Sequence, residues 1–212
     1  MRRIWVAKFD PLRENQDLAE DLWTSIGLSR YAELSSHLLE DIVHPVSCVR
    51  HAASDALAEV LKETKKNSKE VGLILTCLLD TYEDKLELSP PVVDSLGRVL
   101  VPAVDHWEPR SGIAVALTKI SAFFDAGMVK KVATFFVQEG LADRHENVRK
   151  NMLDAAVLTV DLHGKQSAGE LLPIFEDFLN NAPSDQRYDN VRQSVVILMG
   201  SLAKHLVIKT DF

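Results

Sequence analysis

One short motif recurs along the chain and constrains its fold more than any other feature of the sequence. A leucine, valine or proline followed by arginine occurs at Leu12-Arg13, Val49-Arg50, Pro109-Arg110, Val148-Arg149 and Val191-Arg192. The first residues of these pairs lie 37, 60, 39 and 43 positions apart. Three of the four spacings are close to the ~40–47 residues of a repeat that consists of two stacked helices. The motif therefore predicts an internally repeated fold.

Each pair opens a stretch in which apolar residues recur every three or four positions, as in a helix. After Val148, for example, Met152 and Ala155 continue the apolar row, and Gly164 is predicted to end that helix. Partner helices are predicted at 31–43, 68–82, 128–138 and 167–180. Only 9 glycines, 8 prolines and 7% aromatic residues are present, which favours helix over sheet. We predict an all-α, right-handed α-solenoid of about four and a half repeats, whose second helices begin near residues 12, 49, 109, 148 and 191.

The 60-residue spacing contains an insertion over residues 84–107, within one repeat. Pro90 and Pro91 interrupt the helical pattern, but the apolar residues from Val92 to Val104 have helical spacing. We therefore predict one or two packed helical turns, with an extra full helix as the alternative. Such a connection either recognises a partner or covers a repeat junction. Together with a basic turn further along the chain, it supplies the candidate partner-binding residues, which are Pro90, Pro91, Arg98, Trp107, Arg144 and Lys150.

Charge and motifs argue against most kinds of chemistry. The formal net charge of −7 disfavours a general nucleic-acid binder, because phosphate binding requires an excess of Lys and Arg. The sequence has no phosphate loop, dinucleotide fingerprint, zinc-protease motif or nucleophile elbow. Its 7 histidines are scattered, and Cys48 and Cys77 form no CxxC motif. We expect no catalytic, metal or cofactor-binding residues, no small-molecule substrate and, without a long apolar run, no membrane contact.

The arginine positions resemble the HEAT-repeat family. In that family the second helix is introduced by aspartate, four further residues and then Val-Arg, and Asp143 before Val148-Arg149 matches this pattern in full. The resemblance implies an arginine ladder, in which stacked arginines bond to acidic side chains and carbonyls of adjacent repeats. Its members would be Arg13, Arg50, Arg110, Asp143, Arg149 and Arg192. His44, Val104 and Gln186 occupy the aspartate position in other copies, which predicts interruptions of the ladder.

Longer strings resemble one branch of this family. They include Val148-Arg149-Lys150, His163-Gly164-Lys165, the stretch from Leu171 to Leu179 and the stretch from Tyr188 to Val196. These are similar to the general control non-derepressible family, the very large HEAT-repeat activators of the starvation-sensing kinase of translation initiation. The resemblance covers nearly the whole chain and places it in the middle region of such a protein.

This resemblance implies a cytoplasmic scaffold that lies along ribosomes, works with an ABC-type ATPase partner and promotes activation of the stress kinase. Kinase binding belongs to a more C-terminal region of the family, so no kinase-binding residue is carried over. Protein partners are expected for the segment itself, and no cofactor.

The two ends have no polar capping repeat, so we interpret the chain as a piece of a longer solenoid. We expect exposed apolar surface around Trp5, Phe9, Val207 and Phe212. One alternative is another HEAT scaffold, such as a nuclear-transport receptor or a phosphatase scaffold. The other is a helical-repeat DNA glycosylase, which requires a basic groove with a catalytic aspartate and stacking aromatics. The negative charge and 3 scattered tryptophans do not favour that enzyme.

Overall fold

The computed structural model describes residues 1–28, 34–63, 68–185 and 188–206. The described residues form nine α-helices and one two-stranded sheet, and this all-α solenoid confirms the fold class predicted from the sequence. The helices are α1 (Arg2–Ala7), α2 (Arg13–Ser25), α3 (Leu34–Ile42), α4 (Ser47–Glu63), α5 (Ser68–Asp84), α6 (Glu108–Ile120), α7 (Ala126–Gln138), α8 (Glu146–Asn181) and α9 (Asp189–Ala203). The strands are β1 (Val92–Val93) and β2 (Val99–Val101). Short 3-10 turns, Ser121–Phe123 and Gly140–Ala142, follow α6 and α7.

The helices share one continuous apolar core that extends from Trp5 to Leu202. Helix α6 lies at its centre, where it packs against both α4 and α8. Every residue from Arg110 to Leu117 is buried. Successive side chains of a helix point in different directions, so an uninterrupted buried run requires neighbours on every side. Helix α6 is therefore enclosed by adjacent layers of the solenoid.

Helix α8 differs from the sequence prediction, which placed two helices here and ended the first at Gly164. The helical hydrogen bonding instead continues from Glu146 to Asn181. The neighbours of this helix show that it does not run straight. Met152 packs against Gly140, and Ile174 borders a cavity with Val137 of α7. A straight helix would separate Met152 from Ile174 by ~33 Å. Helix α8 therefore bends back, so that both of its halves pack against α7.

The insertion is a β-hairpin, so the predicted packed helical turns are wrong. Strands β1 and β2 pair antiparallel, with Val92 opposite Val101 and Val93 opposite Val99. The Asp94 carboxylate closes the turn by accepting hydrogen bonds from the backbone N–H groups of Leu96 and Arg98, both at 2.8 Å. Gly97 has φ +78°, a conformation that glycine adopts at little cost. Local turn chemistry therefore outweighed the helical spacing of the apolar residues.

The ends of the described solenoid expose apolar side chains, but not at all the predicted positions. Trp5 is buried, because its ring packs against Trp23 and its indole N–H donates to the Ala56 carbonyl at 3.2 Å. Phe9 is partly buried against the core, and Val207 and Phe212 lie outside the described residues. The exposed apolar side chains are instead Leu12, Leu18 and Ile26 at one end, and Val196 and Ile197 at the other.

Two glycines give opposite predictions for the same substitution. A Cβ atom on Gly112 of α6 would lie 1.9 Å from the Ile42 carbonyl oxygen, whereas a Cβ on Gly169 of α8 would meet nothing within 4 Å. We expect Gly112→Ala to lower the free energy of unfolding by at least ~1–3 kcal/mol, because backbone must move. Gly169→Ala should raise it by ~0.5–1 kcal/mol, since alanine is the better helix former. Urea denaturation measures both, and equal effects would contradict the packing of α6 on α3.

A second prediction concerns adjacent residues of α9. Leu198 is 1% exposed and Ile197 is 50% exposed. We expect Leu198→Ala to lower the free energy of unfolding by ~2–5 kcal/mol, because it leaves a cavity between packed helices. Ile197→Ala removes a similar side chain from the surface and should cost less than ~1 kcal/mol. Chemical denaturation in which Leu198→Ala costs no more than Ile197→Ala would show that Leu198 is not a core residue.

Candidate functional site

The hairpin segment, residues 85–107, leaves the solenoid between α5 and α6, and one buried arginine holds both of its ends. The Arg110 side chain is fully buried at the start of α6. Its Nη1 donates to the Lys85 carbonyl at 2.9 Å, where the segment begins. Its Nη1 and Nη2 bind the two carboxylate oxygens of Asp105 at 2.8 and 2.9 Å, where the segment ends. Arg110 therefore fixes the base of the hairpin.

The same guanidinium also bonds to the following repeat through Asp143, in the connection between α7 and α8. Arg110 Nε lies 2.7 Å from one oxygen of Asp143, and Nη2 lies 3.1 Å from the other. The Tyr82 hydroxyl and the His145 backbone N–H donate to the same carboxylate at 2.7 and 2.8 Å. Asp143 is almost fully buried and accepts four hydrogen bonds. Its charge is thus compensated within the fold.

A second arginine completes this cluster, which we call the clamp: Tyr82, Asp105, Arg110, Asp143 and Arg144. Arg144 Nη2 donates to Asp105 at 2.9 Å and also to the Leu86 carbonyl. Beside the clamp, the rings of Trp107 and His145 stack with centroids 4.1 Å apart. Trp107, a candidate partner-binding residue in the sequence, therefore packs across the junction between α6 and α8.

Burial and hydrogen bonding in the clamp shift the pKa values of Asp105 and Tyr82 in particular. Hydrogen bonds from Arg110, and then from Arg144, hold the pKa of the Asp105 carboxyl well below its usual range. Burial, followed by the adjacent Asp143 carboxylate, raises the pKa of the Tyr82 hydroxyl far above its usual value. Asp105 is consequently ionised and Tyr82 is a neutral hydrogen-bond donor at physiological pH. Both states favour the bonds observed.

Beyond the clamp, the hairpin exposes an apolar surface. The exposed large apolar side chains of this surface are Leu88, Val92, Val93, Leu96, Val99, Leu100, Val101 and Val104. Asp94 and Arg98 are the charged residues between Leu88 and Val104, and they pair with each other at 3.2 Å. Pro90 and Pro91, two of the candidate partner-binding residues, are exposed before β1. Lys150 is exposed on α8, outside the hairpin.

The other arginines of the motif mainly bind the loop that precedes their own helix. Arg50 Nη1 donates to the carbonyls of His44 and Pro45 at 2.9 and 2.7 Å. Arg149 repeats this arrangement with the carbonyls of Asp143 and Arg144, at 2.8 and 2.9 Å. Arg192 donates to the Pro183 carbonyl at 2.8 Å and to Asp189 at 2.7 Å. These contacts tie each loop to its second helix.

The motif arginines do not form a continuous ladder among the described residues. Arg13 is 86% exposed and pairs with Asp17 on its own helix at 3.6 Å. Among the described residues, Arg110–Asp143 is the pair that joins a motif arginine to the motif aspartate of the next repeat. The copy that would supply a carboxylate to Arg50 has Val104, and Arg50 Nε is buried without a hydrogen bond. The ladder is interrupted because these copies lack the aspartate.

Sequence reasoning missed two members of the clamp, Tyr82 and Asp105. Asp105 lies five residues before Arg110, close to the family aspartate position occupied by Val104. That near match is the signal that could have identified it. Tyr82 lies 61 residues before Asp143, and only the packing of α5 brings the two together.

The described residues outside the clamp offer few further sites. A cavity of about 440 Å³ lies between α1, α3 and α4, with Cys48 and His44 in its wall. Three charged groups of that wall pair with one another, since Arg2 binds both Glu40 and Asp41. Residues 1–28, 34–63, 68–185 and 188–206 contain no group of three His, Cys, Asp or Glu side chains that could hold a metal ion. None of the helices that they form is both long and apolar enough to cross a lipid bilayer.

Comparison with known proteins shows to which family the chain belongs. The family model described as the HEAT repeats of the stalled ribosome sensor GCN1 matches residues 1–204. The chain belongs to this GCN1 HEAT-repeat family. The human stalled ribosome sensor GCN1 is 47% identical over 207 residues, and the eIF-2-alpha kinase activator GCN1 of Saccharomyces cerevisiae is 30% identical over 213 residues. These matches confirm the family resemblance seen in the sequence.

The GCN1 relatives are far longer than this chain. The human alignment covers 97% of the chain and 8% of the relative, and the yeast alignment covers 96% and 8%. The chain thus spans about 8% of the length of these relatives. No solved structure matches the chain.

The lowered pKa of Asp105 predicts a pH-dependent contribution to stability. Asp105→Asn should lower the free energy of unfolding at pH 7 by ~1–2 kcal/mol, because bonds to two guanidinium groups are weakened. Because the folded-state pKa of Asp105 is lowered, its stabilisation is fully present above the unfolded pKa of ~3.9 and falls progressively as pH drops from there towards the folded-state pKa. The difference between the variant and the native chain should therefore shrink below about pH 4.

Urea denaturation at pH 7 and at pH 3 measures this difference. Asp154→Asn, at an exposed position of α8, is the matched control and should change the free energy of unfolding by less than ~0.5 kcal/mol at either pH. A cost of Asp105→Asn that is equal at both pH values would contradict an ionised Asp105 in the clamp.

Proposed function

We propose that the chain is a non-catalytic scaffold segment of a ribosome-associated activator of the eIF-2-alpha stress kinase. The observation that carries this proposal is the family match over residues 1–204, to proteins named as a stalled ribosome sensor and as a kinase activator. Since the chain spans about 8% of those relatives, sensing and activation belong to the longer protein. The segment contributes one stretch of its solenoid.

The internal packing supports a scaffold role. Helix α6 is enclosed by its neighbours, and the buried Arg110–Asp143 pair joins two successive repeats. In a solenoid each repeat contacts only its neighbours. The relative position of the two distant ends therefore depends on the stiffness of every junction between repeats. A junction whose buried charges are all hydrogen-bonded resists bending, because a shift would expose these charges to water or leave them without partners. Such a segment suits a protein that spans separate partners.

The clamp is poorly suited to catalysis. A DNA glycosylase requires an accessible catalytic aspartate, stacking aromatics and a basic groove. Asp143 is instead saturated by four donors, and Trp107 is stacked on His145. The nuclear-transport and phosphatase scaffold alternatives share the HEAT architecture, but the matched family supports the translational branch.

The proposed partners follow from the longer protein. They are the ribosome, an ABC-type ATPase partner and the stress kinase, all met in the cytoplasm. We assign the segment protein contacts only, without cofactor, membrane or small-molecule substrate. Kinase binding is assigned to a more C-terminal region of the parent, so the segment acts on the kinase through the scaffold.

Complementation of cells that lack the full-length parent tests this function. The native parent should sediment with ribosomes and restore eIF-2-alpha phosphorylation during amino-acid starvation. Asp143→Asn weakens the bond between two repeats, so it should reduce that phosphorylation at least about twofold at equal protein level. Asp154→Asn is the control and should behave as the native parent. A parent that does not sediment with ribosomes, or whose loss leaves the phosphorylation unchanged, would refute the proposal.

A further inference from the structure

The hairpin carries apolar surface that the solenoid does not cover. Val92 is 53% exposed, Leu100 is 64% exposed and Leu96, at the tip, is 73% exposed. Residues of both strands are exposed regardless of which face they occupy. An isolated two-stranded hairpin is marginally stable in water, and a contiguous apolar patch on a protein surface marks an interaction site. The surface is therefore suited to being covered by a partner.

The charge of the hairpin indicates which kind of partner its surface suits. Asp94 and Arg98 neutralise each other at 3.2 Å, and no other charged residue lies between Leu88 and Val104. That stretch also has no aromatic residue on which a base could stack. RNA contacts depend on unpaired cations for phosphates or on stacking platforms for bases. The hairpin surface offers neither and instead matches an uncharged apolar surface of a protein.

The strand edges indicate how such a protein would be recognised. Strands β1 and β2 have two and three residues, and proline precedes β1 at Pro91 and follows β2 at Pro102. Proline has no N–H group to donate to an added strand. Pairing with a partner strand would thus find few main-chain donors. Recognition would therefore depend on the exposed apolar side chains of the hairpin, which suit an apolar groove.

Hydrogen bonds hold the base of the hairpin on the solenoid and close its turn. Arg110 and Arg144 bind carbonyl groups at its start and Asp105 at its end, and Asp94 closes its turn. A surface that is ordered before binding loses little conformational freedom when it docks. A hairpin that is held at its base and closed at its turn is therefore suited to docking.

We propose that the hairpin, residues 85–107, docks into an apolar groove on a ribosomal protein. The proposal rests on the proposed function, which brings the parent to the ribosome, and it adds that this contact is made with protein. Ribosomal RNA and a second copy of the parent are the competing occupants, and the test separates all three.

Site-specific photo-crosslinking in the full-length parent tests the contact. A benzophenone amino acid replaces Leu96 at the hairpin tip or, as the matched control, Leu73, which is 72% exposed on α5. After irradiation of the ribosome-bound parent, we expect the Leu96 probe to form an adduct that is larger by one ribosomal protein and that survives ribonuclease. The Leu73 probe should give at least about fivefold less of this adduct.

The other outcomes each overturn the proposal. An adduct that ribonuclease removes identifies RNA, and an adduct of twice the parent mass identifies a second copy. A parent that sediments with ribosomes but gives no protein adduct at Leu96 refutes the docking alone. A parent that does not sediment with ribosomes refutes the proposed function as well.

Affinity provides a second measurement that does not depend on crosslinking. Leu96→Ser with Leu100→Ser replaces two exposed apolar side chains, so the parent should remain folded. We expect this double variant to weaken binding of the full-length parent to purified ribosomes at least about threefold. Leu73→Ser should bind as the native parent. Equal binding by the double variant, or an equal loss for Leu73→Ser, would overturn the proposal.

Discussion

The structure depends on one buried ion pair, Arg110 with Asp143. Both side chains are inaccessible to solvent, and moving two such charges out of water costs several kcal/mol unless their hydrogen bonds are replaced. Here Arg110 bonds to two carboxylates and to the Lys85 carbonyl, while Asp143 receives four donors. These bonds can all form only if α5, α6, the connection after α7 and the base of the hairpin hold one relative arrangement. The pair therefore specifies geometry as well as stability.

The sequence predicted the repeated helical architecture because helix periodicity and the Val-Arg motif are local signals. It also predicted interruptions of the ladder, since a carboxylate stands at the family position only as Asp143. The hairpin was missed because a spacing of four residues from Val92 to Leu96 and Leu100 fits both a helix and two strands joined by a turn. The deciding residues were Asp94 and Gly97, whose turn chemistry is strong but short.

Two further features could not be predicted from local sequence patterns. The direction of α8 is set by the packing of both its halves on α7, whereas its hydrogen bonds continue past Gly164. The Gly164 position is nevertheless restricted, because an added Cβ would lie 2.7 Å from the His205 ring. Tyr82 likewise joins the clamp through a contact across 61 residues. Such contacts arise from the stacking of whole repeats, which no window of the sequence contains.

The position of the hairpin connects these observations to function. The longest insertion of the chain emerges beside Arg110–Asp143, the described pair that links a motif arginine to the next motif aspartate. A flexible junction would let an inserted element tilt with every bend of the solenoid, because each repeat is held only by its neighbours. Here the guanidinium that joins the repeats also binds both ends of the insertion. A partner bound to the hairpin would consequently be held in a defined orientation to the repeats. A scaffold without catalysis acts in this way, by setting the relative positions of the proteins that it binds.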